Sequence, residues 1–185
     1  MSIKNQIQEL LKEAWRLRVK SDEEGSRALL FEAKRLCDDK DHSSLGRIHH
    51  ILMQLEYDRN DYEQALSFNA ISVTHYRQDG DADRIAHSLR HRADLLRQIG
   101  NVESSLEHYA ESIRIYRDNL ETSEIDLANA LRGYALILQL KGDLLKAIDI
   151  WKETMDLYEV VGINAGVEEA EEMIRQLTDD PDLKH

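Results

Sequence analysis

Three stretches of this chain lie over one another, and that self-similarity constrains the fold more than any single motif. They are YDRNDYEQALSFNAISVTHY (57–76), RQIGNVESSLEHYAESIRIY (97–116) and QLKGDLLKAIDIWKETMDLY (139–158). Each has a turn pair, then a small residue, then an apolar or aromatic stripe that ends in tyrosine. The turn residues Asn60, Gly100 and Gly142 are spaced 40 and 42 apart, and a weaker copy with Ser21 at its turn begins 39 residues earlier. A period of that length belongs to a supersecondary unit that buries its apolar face by stacking on its neighbours.

The register generates columns with physical meaning. Ser26, Ala65, Ser105 and Ala147 are small, as two closely approaching antiparallel helices require. Leu29, Phe68, Leu106 and Leu145 are assigned to the apolar side beside them, and Cys37, Tyr76, Tyr116 and Tyr158 close the second helix of each unit. Helical spacing recurs in Leu131, Tyr134, Ala135 and Leu138, and again in Leu144, Ala147, Ile148, Trp151, Met155 and Tyr158. Ser21-x-x-Glu24 and Asp61-x-x-Gln64 have the capping-box pattern, and Asp143 is placed to cap the last hairpin's second helix. The expected helices are 2–20, 22–38, 43–58, 61–77, 82–99, 101–117, 123–140 and 143–160. A ninth, 165–178, puts Val167, Ala170, Met173, Ile174 and Leu177 on one face.

Composition agrees. Only 8 Gly and 1 Pro leave little material for tight β-turns, and Pro181 is near the end of the chain. With 24 basic and 36 acidic residues the net charge is −12, which disfavours phosphate backbones and anionic membranes as partners. No apolar run reaches the roughly 18–20 residues that span a bilayer, and the N-terminus mixes charged with apolar residues, unlike a signal peptide. One cysteine, Cys37, cannot form an internal disulfide, so a reducing, cytoplasmic location is expected.

Gly142, Ala147 and Trp151, a glycine followed by alanine five on and an aromatic four further, resemble the tetratricopeptide repeat (TPR), as do small Ala93 and Ala135 in first helices. The resemblance covers residues 7–160. The 40–42-residue period exceeds that family's usual 34 and is similar to its longer branch, the kinesin light chain repeats. Asn69 and Ser105 replace the expected aromatic and alanine, and Gly133 inside a helix is ascribed to close helix contact. The resemblance implies an all-α fold, a right-handed α-α superhelix of about four helical hairpins with a C-terminal capping helix. It would form one repeat domain over 1–178, with units at about 2–38, 43–77, 82–117 and 123–160 and a cap at 165–178. A flexible tail is expected at 179–185.

The same resemblance implies a non-catalytic adaptor or scaffold whose first helices line a concave surface for a peptide or partner helix. Register places sixteen residues there: Gln8, Leu11, Trp15 and Arg18; Arg47, His50, Gln54 and Tyr57; His87, Arg90, Asp94 and Arg97; Asn129, Arg132, Leu136 and Gln139. Five are arginine, two are histidine and one is acidic, a basic bias in an acidic protein. Arginine's planar fork suits carboxylates, so a peptide with acidic side chains or a free C-terminus is the expected ligand. The alternative is that these arginines are solvated or bridge to neighbouring acids. Leu11, Trp15 and Ile51 stand where chaperone-binding relatives carry a carboxylate clamp, so chaperone tails are not expected. A sensor domain responding to a peptide or small ligand is the second reading of the chain, and a metal-dependent hydrolase a third. Nucleic-acid and membrane partners are not expected, and the oligomeric state is open.

Other chemistry is thin. His87-x-x-x-His91 puts two imidazoles on adjacent helical turns, but HSLRH lacks a metalloprotease's glutamate; only Asp94 and His50 suggest themselves as further ligands. No metal or cofactor is expected. Asp79–Asp83 imitates the start of a calcium loop, yet Arg84 and Arg90 fall where glycine and glutamate are needed; Asp81 is better read as a helix cap. Cys37 reads as a packing residue, Trp151 as core, and Trp15 as either core or an aromatic anchor. The Glu168/Glu169 and Glu171/Glu172 pairs read as a solvated face. No phosphate-binding glycine loop and no Ser/His/Asp set is present.

Overall fold

In the computed structural model of the protein, residues 2–119 and 121–180 are described. Among them are nine α-helices and no strand: α1 (Ile3–Val19), α2 (Glu23–Leu36), α3 (His42–Asp58), α4 (Tyr62–Asp79), α5 (Ala82–Gln98), α6 (Val102–Asp118), α7 (Glu124–Lys141), α8 (Leu144–Val161) and α9 (Asn164–Thr178). Every boundary lies within two residues of its sequence expectation. Residues 181–185 of the expected tail fall outside the described residues. The chain divides into two compact units, Met1–Ser88 and Leu89–His185.

The turn column has a single backbone cause. Ser21 and Asn60 adopt φ of 62°, and Gly100 and Gly142 adopt 77° and 83°. Each reverses the chain between two helices through the left-handed region that glycine enters freely. Asp61 and Asp81 accept the amide hydrogens of Gln64 and Arg84 at 3.1 and 3.0 Å, as their positions imply. For α2, however, the cap is Asp22 and not Ser21: its carboxylate accepts from the Gly25 amide at 2.9 Å, because Ser21 is consumed by the left-handed turn. Asp143 occupies its cap position without a side-chain hydrogen bond.

In the first unit α1 packs on α2, α3 on α4, and α3 on both α1 and α2. Ile7, Leu11, Ala14, Leu30, Ala33, Leu45, Ile48, Ile51, Leu52 and Leu55 form its core, with Leu29, Cys37 and Phe68 against it. In the second unit α7 packs on α6 and α8, and α8 on α9; Ala135, Leu138, Ala147, Ile148, Trp151, Ala170 and Leu177 make a core that Leu106, Ile150, Met173 and Ile174 extend. The small column sits at the helix crossings with no exposure, and its two serines use their hydroxyls: Ser26 donates to Ala14 C=O and Ser105 to Ala93 C=O, each at 2.8 Å. Asn69, where the repeat pattern expects an aromatic, is fully buried and donates from Nδ2 to Ser88 C=O at 2.8 Å.

One apolar assignment fails. Leu145 is 68% exposed. It lies two residues before Ala147, about 200° around the helix, whereas Leu29 and Phe68 lie three after Ser26 and Ala65; the matching residue is Ile150. Gly133 is explained as expected, since a Cβ there would run into the Tyr109 ring. Gly46 and Gly166 serve Tyr76 and Tyr158 in the same way, with a Cβ meeting ring atoms at 2.6 and 2.5 Å. No helix among the described residues is long and apolar enough to cross a membrane.

Candidate functional site

Within the first unit, α3 carries four of the proposed binding residues. His50 is buried, at 1% exposure, and its ring lies against that of His87 on α5, centroids 5.1 Å apart. Tyr57 is half-buried, edge-on to Tyr62 at 5.7 Å. The Gln54 side-chain oxygen is shielded from solvent and accepts no hydrogen bond among the described residues.

Arg47 is the most informative of the set. It is half-buried, and no hydrogen bond or ion pair engages it among the described residues. Burial holds its guanidinium below the usual arginine value; the Tyr76 hydroxyl works against that shift, and Arg84 and Arg18 add to it. The other two have carboxylates of their own: Arg18 grips Asp58 through two bonds of 2.8 and 2.9 Å, and Arg84 reaches Asp81 at 3.2 Å. Arg47 is thus a partly desolvated cation facing other cations, an arrangement that favours an incoming carboxylate.

In the second unit the basic residues are differently disposed. Arg132 on α7 makes a two-pronged pair with Glu169 on α9, at 2.6 and 2.5 Å, and that carboxylate holds the guanidinium above its usual value. Glu169 therefore does not belong to a solvated face; it flanks Ala170, on the side of α9 that the core draws inward. Arg90 donates to Asp94 at 3.3 Å, and Asp94 also accepts a short hydrogen bond from the Tyr109 hydroxyl. Burial, then the adjacent Asp94 charge, drives the Tyr109 hydroxyl well above the tyrosine range. Arg97 is half-buried beside Tyr109, and Asn129 accepts from the Tyr158 hydroxyl at 2.9 Å. Gln139, assigned to the binding face, instead accepts from the Trp151 indole at 3.1 Å. Arg132, Arg90, Asp94 and Asn129 are thus cross-linked to their own unit, while Arg47 in the first unit is not.

No protein-family model matches the chain, and no curated protein matches it by sequence. Solved structures do match. BtubC (BKLC) from P. vanneervenii superposes with a TM-score of 0.65 at 14% identity, covering 96% of this chain and 91% of that one. The nearly identical TPR-like repeats of a kinesin light chain-like protein from Podosopora anserina superpose with a TM-score of 0.68 at 14% identity, covering 96% of this chain and 97% of that one. The fold is TPR-like.

Seen as TPR-like hairpins, the remaining candidates fall into place separately. His91, a turn beyond His87 on α5, has Asp94 as its neighbour, 3.8 Å from Nδ1, and its Nε2 lies 3.2 Å from the Arg90 guanidinium. Cys37 ends α2, half-buried against the first unit's core, with burial and then Asp41 pushing its thiol up to about 11; such a thiol is a poor nucleophile at neutral pH. Trp151 is completely buried, and Trp15 is 41% exposed. The second unit also has a recess of about 370 Å³ lined by apolar Ala110, Ile113, Leu131 and Ile150 and by Tyr134, Arg114, Arg117, Asp118 and Lys146; Arg114 is paired with Asp118 and Arg117 with Glu153.

Proposed function

We propose that this chain is a non-catalytic protein-interaction module that holds an extended peptide or partner helix against the first helices of its TPR-like hairpins. Arg47 is the observation that carries the ligand's chemistry. A guanidinium held partly out of water among like charges lacks a counter-ion that an acidic side chain or terminal carboxylate would supply. Trp15 adds exposed aromatic area of the kind that anchors interfaces. In the second unit, Arg90 and Arg132 present guanidinium already shared with carboxylates, which suits orientation of a ligand better than capture of its charge.

The test has two steps. Partners captured on the immobilised chain are identified by crosslinking and mass spectrometry, and the minimal peptide is then titrated against wild type and Arg47→Gln. The expected result is an affinity loss of about tenfold or more, the scale of a hydrogen bond to a charged group, with binding that weakens as salt rises. Equal affinity for both proteins would remove Arg47 from the site. A second reading, a sensor for a small ligand, is favoured by the recess of the second unit, which joins apolar side chains to Lys146; ligand-induced change in small-angle scattering, abolished by Lys146→Ala, would support it.

A further inference from the structure

The α3–α4 hairpin of the first unit brings two imidazole nitrogens face to face. Nδ1 of His42, at the start of α3, lies 3.2 Å from Nδ1 of His75, in the last turns of α4. Both residues are half-exposed. The rings are tilted by 30°, with centroids 5.4 Å apart. A third histidine steadies the arrangement: His49 stacks on His75 at 5.6 Å and 20°, and its own Nδ1 is fixed by the Leu45 carbonyl at 2.8 Å. Two neutral imidazoles can meet this way only if one Nδ1 carries a hydrogen and the other a lone pair.

We infer that His42 and His75 form a two-histidine site for a divalent transition-metal ion of the zinc or nickel type. Two nitrogens bound to one such ion at about 2.0–2.1 Å, with a near-tetrahedral angle, lie about 3.1–3.4 Å apart, and the observed separation falls in that interval. Imidazole is a preferred ligand for these ions, and hard oxygen-seeking cations would pass it by. The exchange is balanced: the Nδ1 hydrogen shared by the pair moves to the Nε2 of its own ring, both Nδ1 lone pairs turn to the metal, and no net proton is released. Water fills the remaining positions, which the half-exposed surface allows. With two protein ligands, the affinity lies below that of a closed four-ligand site.

The site is tested on the full chain, stripped with chelator, by calorimetric titration with zinc chloride and with nickel chloride at pH 7.5. Ring-nitrogen NMR follows the tautomers in parallel. The expected result is one equivalent bound by the wild type, with both Nδ1 resonances of His42 and His75 shifted. That equivalent should be lost in His42→Asn and in His75→Asn, with unchanged helical circular dichroism, and kept in a His87→Ala/His91→Ala variant. Retention of it in either asparagine variant, loss of it only in the α5 variant, or no binding by the wild type would each overturn the site and leave the pair as a simple hydrogen bond.

Discussion

Ser21 and Asn60 occupy backbone positions where Gly100 and Gly142 stand in the later copies, all at φ between 62° and 83°. A side chain in the left-handed region costs about 1–2 kcal/mol, offset in part by glycine's larger entropy in the unfolded chain. Ser21→Gly should therefore stabilise the protein by up to about 1 kcal/mol, raising its melting temperature by about 2–4 °C. Gly142→Ala should lower it by a similar amount, and a thermal melt of the two variants with opposite signs checks the pair. Gly133 obeys a different rule. Alanine there gains about 1 kcal/mol of helix propensity but drives a methyl group into the immobile, buried Tyr109 ring. Overpacking of that kind costs about 1–3 kcal/mol, so the net effect is destabilisation; a Gly133→Ala protein melting higher than wild type would contradict the close approach of α6 and α7.

Among the helices, α8 holds its neighbours through Trp151, which is wholly buried and tied to Gln139 on α7. Trp151→Ala should cost about 3–5 kcal/mol, seen as a lower urea midpoint; an unchanged midpoint would deny the indole its place in the core. The Arg132–Glu169 pair, about a third exposed on each side, should matter far less. Helix ends were legible in the sequence because turn residues, small columns and the 3.6 period all report local backbone requirements. What was not legible depended on contacts between distant parts of the chain. Leu145 was misplaced by a column that changed register between copies, and Asp22 took the cap from Ser21 once the left-handed turn claimed that residue. Glu169 looked like any acid on a charged helix, because only α7, 37 residues away, turns it into a partner for Arg132. The basic bias of the first helices was legible as a pattern of residue types, but sequence could not tell Arg47, left without a counter-ion, from Arg90 and Arg132, already engaged.

At alkaline pH the half-buried thiol and the buried tyrosine hydroxyls act in one direction. Burial, with Asp41 adding to it, raises the Cys37 thiol from 9.0 to about 11, and burial likewise raises the hydroxyls of Tyr76, Tyr109 and Tyr158 above 10.0. Groups whose values are higher in the folded than in the unfolded chain stabilise fully below the unfolded value and lose that contribution as pH climbs through the folded one. Stability should be flat below pH 9.0 on this account and decline from there to about 11, read as a falling urea midpoint. Cys37→Ser should delay the onset toward the tyrosine range, and a midpoint constant up to pH 11 would show the thiol to be freely hydrated. Arg47 has a broader consequence. Keeping a charge half-shielded and unanswered makes the empty protein less stable than its packing permits, so any guest that neutralises that charge should also stiffen its host. Heat resistance then becomes an assay for the proposed peptide partner: a library of short acidic peptides, scored only by how far each delays melting, would rank candidates before anything is known of where they come from.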